Sequence, residues 1–174
     1  HPGFILFSSG TTGAPKCIVH SAAGVLLKDL AEQRIHLDIT PGDRVCYYTT
    51  AGWMMWNWLV MALGTGATVV LADGQPMYPE PDRLLRLVAD EKLTFLGVSA
   101  KYIESLRQHS VSMAPHELTS LRTIASTGSP LAPELFDYVY EHVCSSVHLA
   151  SISGGTDICG CFVLGVPTLS LIHI

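Results

Sequence analysis

Apolar and polar positions fall in blocks along this chain, and the period of the pattern changes from block to block. "FILFS" at 4–8 is a short apolar run that predicts a buried strand. From Ser21, "SAAGVLLKDLAEQRIHL" sets Val25, Leu26, Leu30 and Ile35 on one helical stripe, with Lys28, Asp29, Glu32 and Arg34 mostly elsewhere. Ser21 is placed to cap that helix. Pro41-Gly42-Asp43 marks a turn and "RVCYYTT" a strand, while "WMMWNWLVMAL" predicts a helix apolar on nearly every side, which must be buried in a larger body. "ATVVLAD" then predicts a strand and "PDRLLRLVADEK" a helix opened by Pro81, where the missing N–H costs nothing. "TFLGVS" is a strand, "AKYIESLRQHS" a helix capped by Ser99, "LRTIAST" a strand, "APELFDYVYEHV" a helix and "VHLAS" a strand before the glycine-rich "ISGGTDICG".

Strands alternating with helices over this length predict an α/β fold, a mostly parallel sheet with helices on both faces. Ligands in such sheets collect at the carboxyl ends of the strands. Three polar, glycine-rich loops are expected there: 8–16, 127–130 and 153–157. No internal repeat or low-complexity segment interrupts the pattern.

Composition narrows the classes. The chain has 174 residues, 48% hydrophobic and 14% charged, which is the make-up of one folded domain. A net charge of −5 and ten scattered Lys and Arg residues argue against a nucleic-acid surface. Between Arg44 and Asp73 there is no charge, but Gly52, Asn57, Gly64 and Gly66 break the stretch and its second half is β-branched. A buried helix plus strand fits it better than a membrane span. The five cysteines (17, 46, 144, 159, 161) are odd in number, so reduced, cytoplasmic thiols are expected. The pair Cys159 and Cys161 lacks a second ligand pair at zinc spacing. His1-Pro2-Gly3 has neither a basic region nor a starting Met, and the chain is expected to be cut from something longer.

The stretch "SSGTTGAPK" (8–16) carries candidate chemistry. Gly10 and Gly13 permit unusual backbone angles, Ser8, Ser9, Thr11 and Thr12 supply hydroxyls, and Lys16 supplies a cation, which together suit a phosphate. The P-loop NTPase pattern is not met, because Ala14-Pro15 separates Gly13 from Lys16 and Cys17 follows. On composition alone an ordinary turn remains open.

With "AGWMMWNWLV", "TGSPLAPEL" and "SISGGTDICGCFVLG" in order behind it, this stretch resembles the signature of the adenylate-forming superfamily, the acyl-CoA synthetases and their relatives. The resemblance covers about residues 3–165 and implies part of the large N-terminal adenylation domain. "WMMWNWLV" and "SISGGTDI" look most like the members that act on acetoacetate. Enzymes of this family join a carboxylate to AMP, release pyrophosphate, and pass the acyl group to coenzyme A. The resemblance therefore implies ATP, Mg2+, acetoacetate and coenzyme A as small-molecule partners.

Residue by residue, it implies that Ser8, Ser9, Gly10, Thr11, Thr12, Gly13 and Lys16 hold the β- and γ-phosphates. Gly128, Ser129 and Pro130 would lie along adenine, with Ser129 where many relatives carry Glu. Ser153, Gly154, Gly155 and Thr156 would meet AMP, Thr156 at the α-phosphate, and Asp157 would bind magnesium where most relatives have Glu. Lys16 and Thr156 are the catalytic expectations. Trp53, Met54, Met55 and Gly154 would form the acyl pocket. Acetate-activating members carry Trp at the position of Gly154, so its loss is expected to admit a larger acid. His20 and Lys101 receive no role. The family's ribose-binding Asp, hinge and C-terminal catalytic Lys are not in this chain, and 166–174, "VPTLSLIHI", departs from the family. A segment of this kind is expected to be inactive alone. Another short-chain synthetase, for acetate or propionate, and a non-catalytic nucleotide-binding module remain as alternatives.

Overall fold

The computed structural model of the protein describes residues 1–8 and 13–168. Ser9, Gly10, Thr11 and Thr12 of the candidate phosphate loop, and 169–174 of the tail, lie outside the described residues.

The chain opens with β1 (Pro2–Ser8) and β2 (Lys16–Ser21), an antiparallel pair that forms its own two-stranded sheet. Here the fold departs from the buried strand expected at 4–8. Ile5, Phe7 and Val19 are exposed on one face of the hairpin while Phe4, Leu6, Ile18 and His20 are half-buried on the other. A short apolar run does not tell a buried strand from a half-exposed one, and Lys16–Ser21 hid its alternation inside a loop-to-helix transition.

Helix α1 (Ala22–Ala31) follows, its first turn capped as expected: the Gly24 N–H donates to Ser21 Oγ at 3.1 Å. It runs on into a wider turn over Glu32–His36. The face it buries is not the expected one. Val25 is inside, but so are Asp29, Glu32 and Gln33, while Leu26, Leu27 and Ile35 are exposed.

The main sheet has five parallel strands in the order β4-β3-β5-β6-β7, built from β3 (Arg44–Tyr47), β4 (Thr68–Val69), β5 (Phe95–Ser99), β6 (Thr123–Thr127) and β7 (His148–Ser151). Helices α2 (Met54–Met61), α3 (Arg83–Asp90), α4 (Ala100–Gln108) and α5 (Pro133–Tyr138) make the crossovers. Ser99 caps α4, accepting from the Tyr102 N–H at 3.1 Å. Pro81 stands just before α3 rather than opening it. A second hairpin, β8 (Ser153–Gly155) with β9 (Gly160–Val163), follows β7.

Period-2 alternation divides the core. Cys46, Leu96, Val98, Ile124 and Leu149 face one side and pack with α3, α4 and α5. Val45, Tyr47, Phe95, Ala125 and Ala150 face the other and pack with α2, Leu37, Ile39 and Cys161 of β9. Trp58 is fully buried on this second face, edge-on to Tyr47 at 6.0 Å and tilted against Phe95 at 5.8 Å. Gly97 permits this, because a Cβ there would overlap the Tyr47 ring. No described helix is long and apolar enough to cross a membrane.

At the amino edge of the sheet, Arg122 donates to both carboxylate oxygens of Asp43 at 2.8 Å and to Asp38 at 2.9 Å. Burial alone would raise the Asp43 carboxyl, yet the Thr40 N–H and the Arg122 guanidinium hold it below the usual range.

Asp29 is the counter-case. Both of its carboxylate oxygens are buried without a hydrogen-bond partner among the described residues, and burial pushes it from its ordinary 3.8 to about 7 despite the adjacent Lys28. A carboxyl with a raised folded pKa binds its proton better when folded, so this position weakens the fold as pH rises from about 4 to about 7. Asp29→Asn is expected to raise the melting temperature at pH 8, by roughly 2–4 °C per kcal/mol recovered, and to give a smaller gain at pH 5. Melting curves of both proteins at the two pH values check this; a gain that grows toward acid would contradict it.

Candidate functional site

The amino end of α2, the carboxyl ends of β6 and β7, and the second hairpin enclose a cavity of about 660 Å3. Trp53, Met54 and Met55 form one wall. Thr127, Gly128, Ser129 and Pro130 form another, and Ser151 to Thr156 with Cys161 and Val163 form the third. Two of the three expected loops thus meet at the carboxyl edge of the parallel sheet, as the strand pattern implied. The sequence order alone brought the Trp-Met run to them: β3 delivers its chain to the same edge, where Trp53 stands just before α2.

The first loop arrives differently. It connects the strands of a separate hairpin and does not follow a strand of the main sheet. Ser8 lines an adjoining cavity of about 510 Å3 with Leu6, Asn57, Thr156 and Asp157, and Trp53, Met54 and Thr156 border both spaces. Lys16 stands opposite Ser8 in the hairpin register, and Lys16 and Gly13 are exposed at its end, outside the lining of either cavity. Among the described residues, neither lining includes a lysine or arginine.

Hydrogen bonds fix these walls. The Ile152 N–H donates to Ser126 O at 2.8 Å and the Thr127 hydroxyl to Ile152 O at 3.0 Å, which joins the ends of β6 and β7. His20 Nε2–H donates to the Thr156 carbonyl at 2.8 Å, tying the first hairpin to the third loop. Gly128 holds a φ of +90°, a left-handed turn that leads the chain off β6 without a side chain to strain it.

Behind the cavity lies a buried carboxylate. Glu32, 4% exposed, accepts from the Trp58 indole N–H at 3.0 Å with Oε2 and from the Cys161 N–H at 3.0 Å with Oε1. Lys28 pairs with Glu32 from the preceding turn and also reaches the Cys161 carbonyl at 3.4 Å. Burial pushes the Cys161 thiol up to about 11, so it faces the cavity uncharged at neutral pH.

Sequence reasoning missed Glu32, His20, Asn57, Thr127, Ser151, Cys161 and Val163. Thr127 and Ser151 lie inside recognised stretches, 127–130 and "SISGGTDICGCFVLG", without having been given a role. For Glu32 the available signal was its four-residue spacing from Lys28, which reads equally as a solvated pair.

Asp157 is exposed and is the acidic side chain of the described linings. No cluster of three metal-ligating side chains occurs among the described residues. A single exposed carboxylate is compatible with magnesium, which keeps waters and takes few protein ligands.

Gly154 lines the cavity with its backbone, but its missing side chain does not point there. A Cβ at 154 would overlap Gly160 O and lie 2.6 Å from Cys161 Cα. The glycine is what lets β8 and β9 approach.

Comparison with known proteins places this geometry among relatives. A family model described as AMP-binding enzyme matches residues 1–171. The chain is 55% identical over 168 residues to an acetoacetyl-coenzyme A synthetase of Rhizobium meliloti, covering 96% of this chain and 26% of that protein. It is 47% identical to a malonamoyl-CoA synthetase of Penicillium aethiopicum, covering 97% and 25%. Among solved structures, acetoacetyl-CoA synthetase from Streptomyces lividans superposes with a TM-score of 0.89 at 43% identity, over 97% of this chain and 27% of that one. The chain spans about a quarter of the length of these relatives.

The Gly154 geometry has a consequence that can be measured. Gly154→Ala is expected to destabilise the fold by about 1–3 kcal/mol through backbone overlap, and Gly154→Trp by more. Denaturant titration of the two variants reads this. An alanine variant as stable as the parent would mean that space at 154 is free.

Proposed function

Since the chain belongs to the AMP-binding enzyme family, we propose that it is the phosphate- and acyl-binding part of a cytoplasmic acetoacetate-CoA ligase. Residues 1–165 are then part of its adenylation domain. The observation that carries the reading is the convergence of Trp53–Met55, Gly128–Pro130 and Ser153–Asp157 around one cavity, with Ser8 and the phosphate hairpin alongside. The identity to acetoacetyl-CoA synthetases supports the substrate.

In this reading an acetoacetate oxygen attacks the α-phosphorus of ATP. The bond to the bridging oxygen breaks, pyrophosphate leaves, and an acyl-adenylate remains. The thiol of coenzyme A then attacks the acyl carbon and displaces AMP. Negative charge gathers on the phosphates during the first step, and donors fixed in advance lower its barrier. The hairpin loop from Ser8 to Lys16 supplies hydroxyls, backbone N–H groups and one cation. Lys16 stands at the end of the first hairpin, outside both cavity linings.

Thr156 holds the α-phosphate with its hydroxyl while its carbonyl is held by His20. Gly128, Ser129 and Pro130 present backbone to adenine. Asp157 would hold magnesium, which when bound neutralises phosphate charge. Trp53, Met54 and Met55 give the acid an apolar wall.

A second reading has a specific observation behind it. A malonamoyl-CoA synthetase is almost as similar to this chain as the acetoacetate enzymes are. Malonamate, like acetoacetate, is a three-carbon acid core with a polar carbonyl at its far end.

The test is acid-dependent exchange of labelled pyrophosphate into ATP, in a protein of the relatives' length. Acetoacetate is expected to support exchange well above acetate and malonamate. Preference for malonamate would select the second reading, and no exchange with any acid would overturn both. Lys16→Ala is expected to slow exchange about a hundredfold with the acid KM little changed. A Lys16→Ala rate equal to the parent's would remove the lysine from the chemistry.

A further inference from the structure

We propose that Glu32, which touches neither cavity, is a positioning residue for acid selectivity: its carboxylate sets the spacing between the two walls of the acyl pocket. The inference rests on the acyl-CoA synthetase reading above and deepens it.

The two walls come from elements with no covalent reason to stay in register. One is the start of α2, with Met54 and Met55; the other is β9, with Cys161. Glu32 bonds to both. Oε2 takes the indole N–H of Trp58, one turn along α2 from the pocket methionines, and Oε1 takes the backbone N–H of Cys161 itself. Each is a 3.0 Å bond, and both partners are buried.

The chemistry of the clamp is specific to a carboxylate. Everything facing it is a donor: an indole N–H, an amide N–H and the Lys28 ammonium. Lys28 closes the ring by reaching the Cys161 carbonyl from the other side. There is no slack at the β9 end, because a Cβ at Gly160 would overlap the Lys28 ammonium and stand 2.5 Å from Glu32 Oε1. A charge-assisted network around a carboxylate that is 4% exposed is stiff, since each bond lost leaves a largely buried charge or donor short of a partner.

The adenine loop of the site is anchored elsewhere, although Ser153–Thr156 share the β8–β9 hairpin with Cys161. Gly128–Pro130 hang from β6, and the ends of β6 and β7 are joined by their own bonds from Thr127 and Ile152. Loosening Glu32 should therefore blur recognition of the acid more than that of ATP, whose adenine loop keeps its own anchor.

Two variants test this in a protein of the relatives' length, with the parent alongside. Glu32→Gln keeps size but turns one oxygen into a donor facing donors. Trp58→Phe keeps a ring in the core and removes one N–H. Pyrophosphate exchange is measured with acetoacetate and with acetate, and KM is determined separately for acid and ATP. For Glu32→Gln the acetoacetate KM is expected to rise about tenfold, the preference over acetate to fall by a similar factor, and the ATP KM to stay within about twofold. Trp58→Phe should shift the same quantities in the same direction by less. If Glu32→Gln fails to fold, Trp58→Phe alone decides.

Unchanged acid selectivity in the folded variants would overturn the proposal, as would equal rises in both KM values, which mark general loosening. Failure of the parent itself to exchange with any acid would instead remove the functional reading on which the proposal stands.

Discussion

A carboxylate taken out of water has to be met by donors, and in this protein the donors that meet Glu32 come from three separate elements. Burying such an ion costs several kcal/mol, and the cost is offset only when its oxygens are occupied in good geometry. Lys28, the Trp58 indole and the Cys161 amide do this together. The end of α1, the body of α2 and the strand β9 are thereby held at one point, on the second face of the parallel sheet. Trp58 then presents its ring to Tyr47 and Phe95, so the polar junction and the aromatic core share one side chain. At the amino edge of the sheet Arg122, Asp38 and Asp43 do similar work between the start of β3 and the start of β6. The apolar core lies between these two polar ties.

Much of the fold was legible in the sequence because local signals and burial agreed. Ser21 and Ser99 stood where helices needed caps, and both accept the expected N–H. The alternation in "RVCYYTT" and "TFLGVS" was enough to send Val45 and Phe95 to one face and Cys46 and Leu96 to the other. The first hairpin was missed because nothing local distinguishes six residues of strand from the end of a loop. The stripe on α1 was misjudged for another reason. Periodicity says which residues share a helix face, but not what lies against that face. Leu26, Leu27 and Ile35 are exposed, while Val25, Asp29 and Glu32 meet the body of the protein.

The site divides along the same line. Loops that follow strands of a parallel sheet must gather at one edge, so the meeting of Gly128–Pro130 with Ser153–Thr156 followed from order alone. The role of a glycine did not. In sequence, Gly154 reads as room left by an absent side chain. In three dimensions its missing Cβ points at the backbone of β9 and leaves room for that strand to approach. Bonds between distant segments, such as His20 to Thr156 or Glu32 to Cys161, leave no periodic trace and become visible only when the chain is folded.

Glycine and tryptophan can be a single base apart in the genetic code, so the step from Gly154 to an indole is short for a gene. For the protein it is long, because the indole would arrive where the carbonyl of Gly160 already stands. A lineage that took this step would first have to move a strand, through an insertion, a deletion or a slipped register in the β8–β9 hairpin. An indole at 154 is thus expected to come with an altered hairpin, and seldom alone.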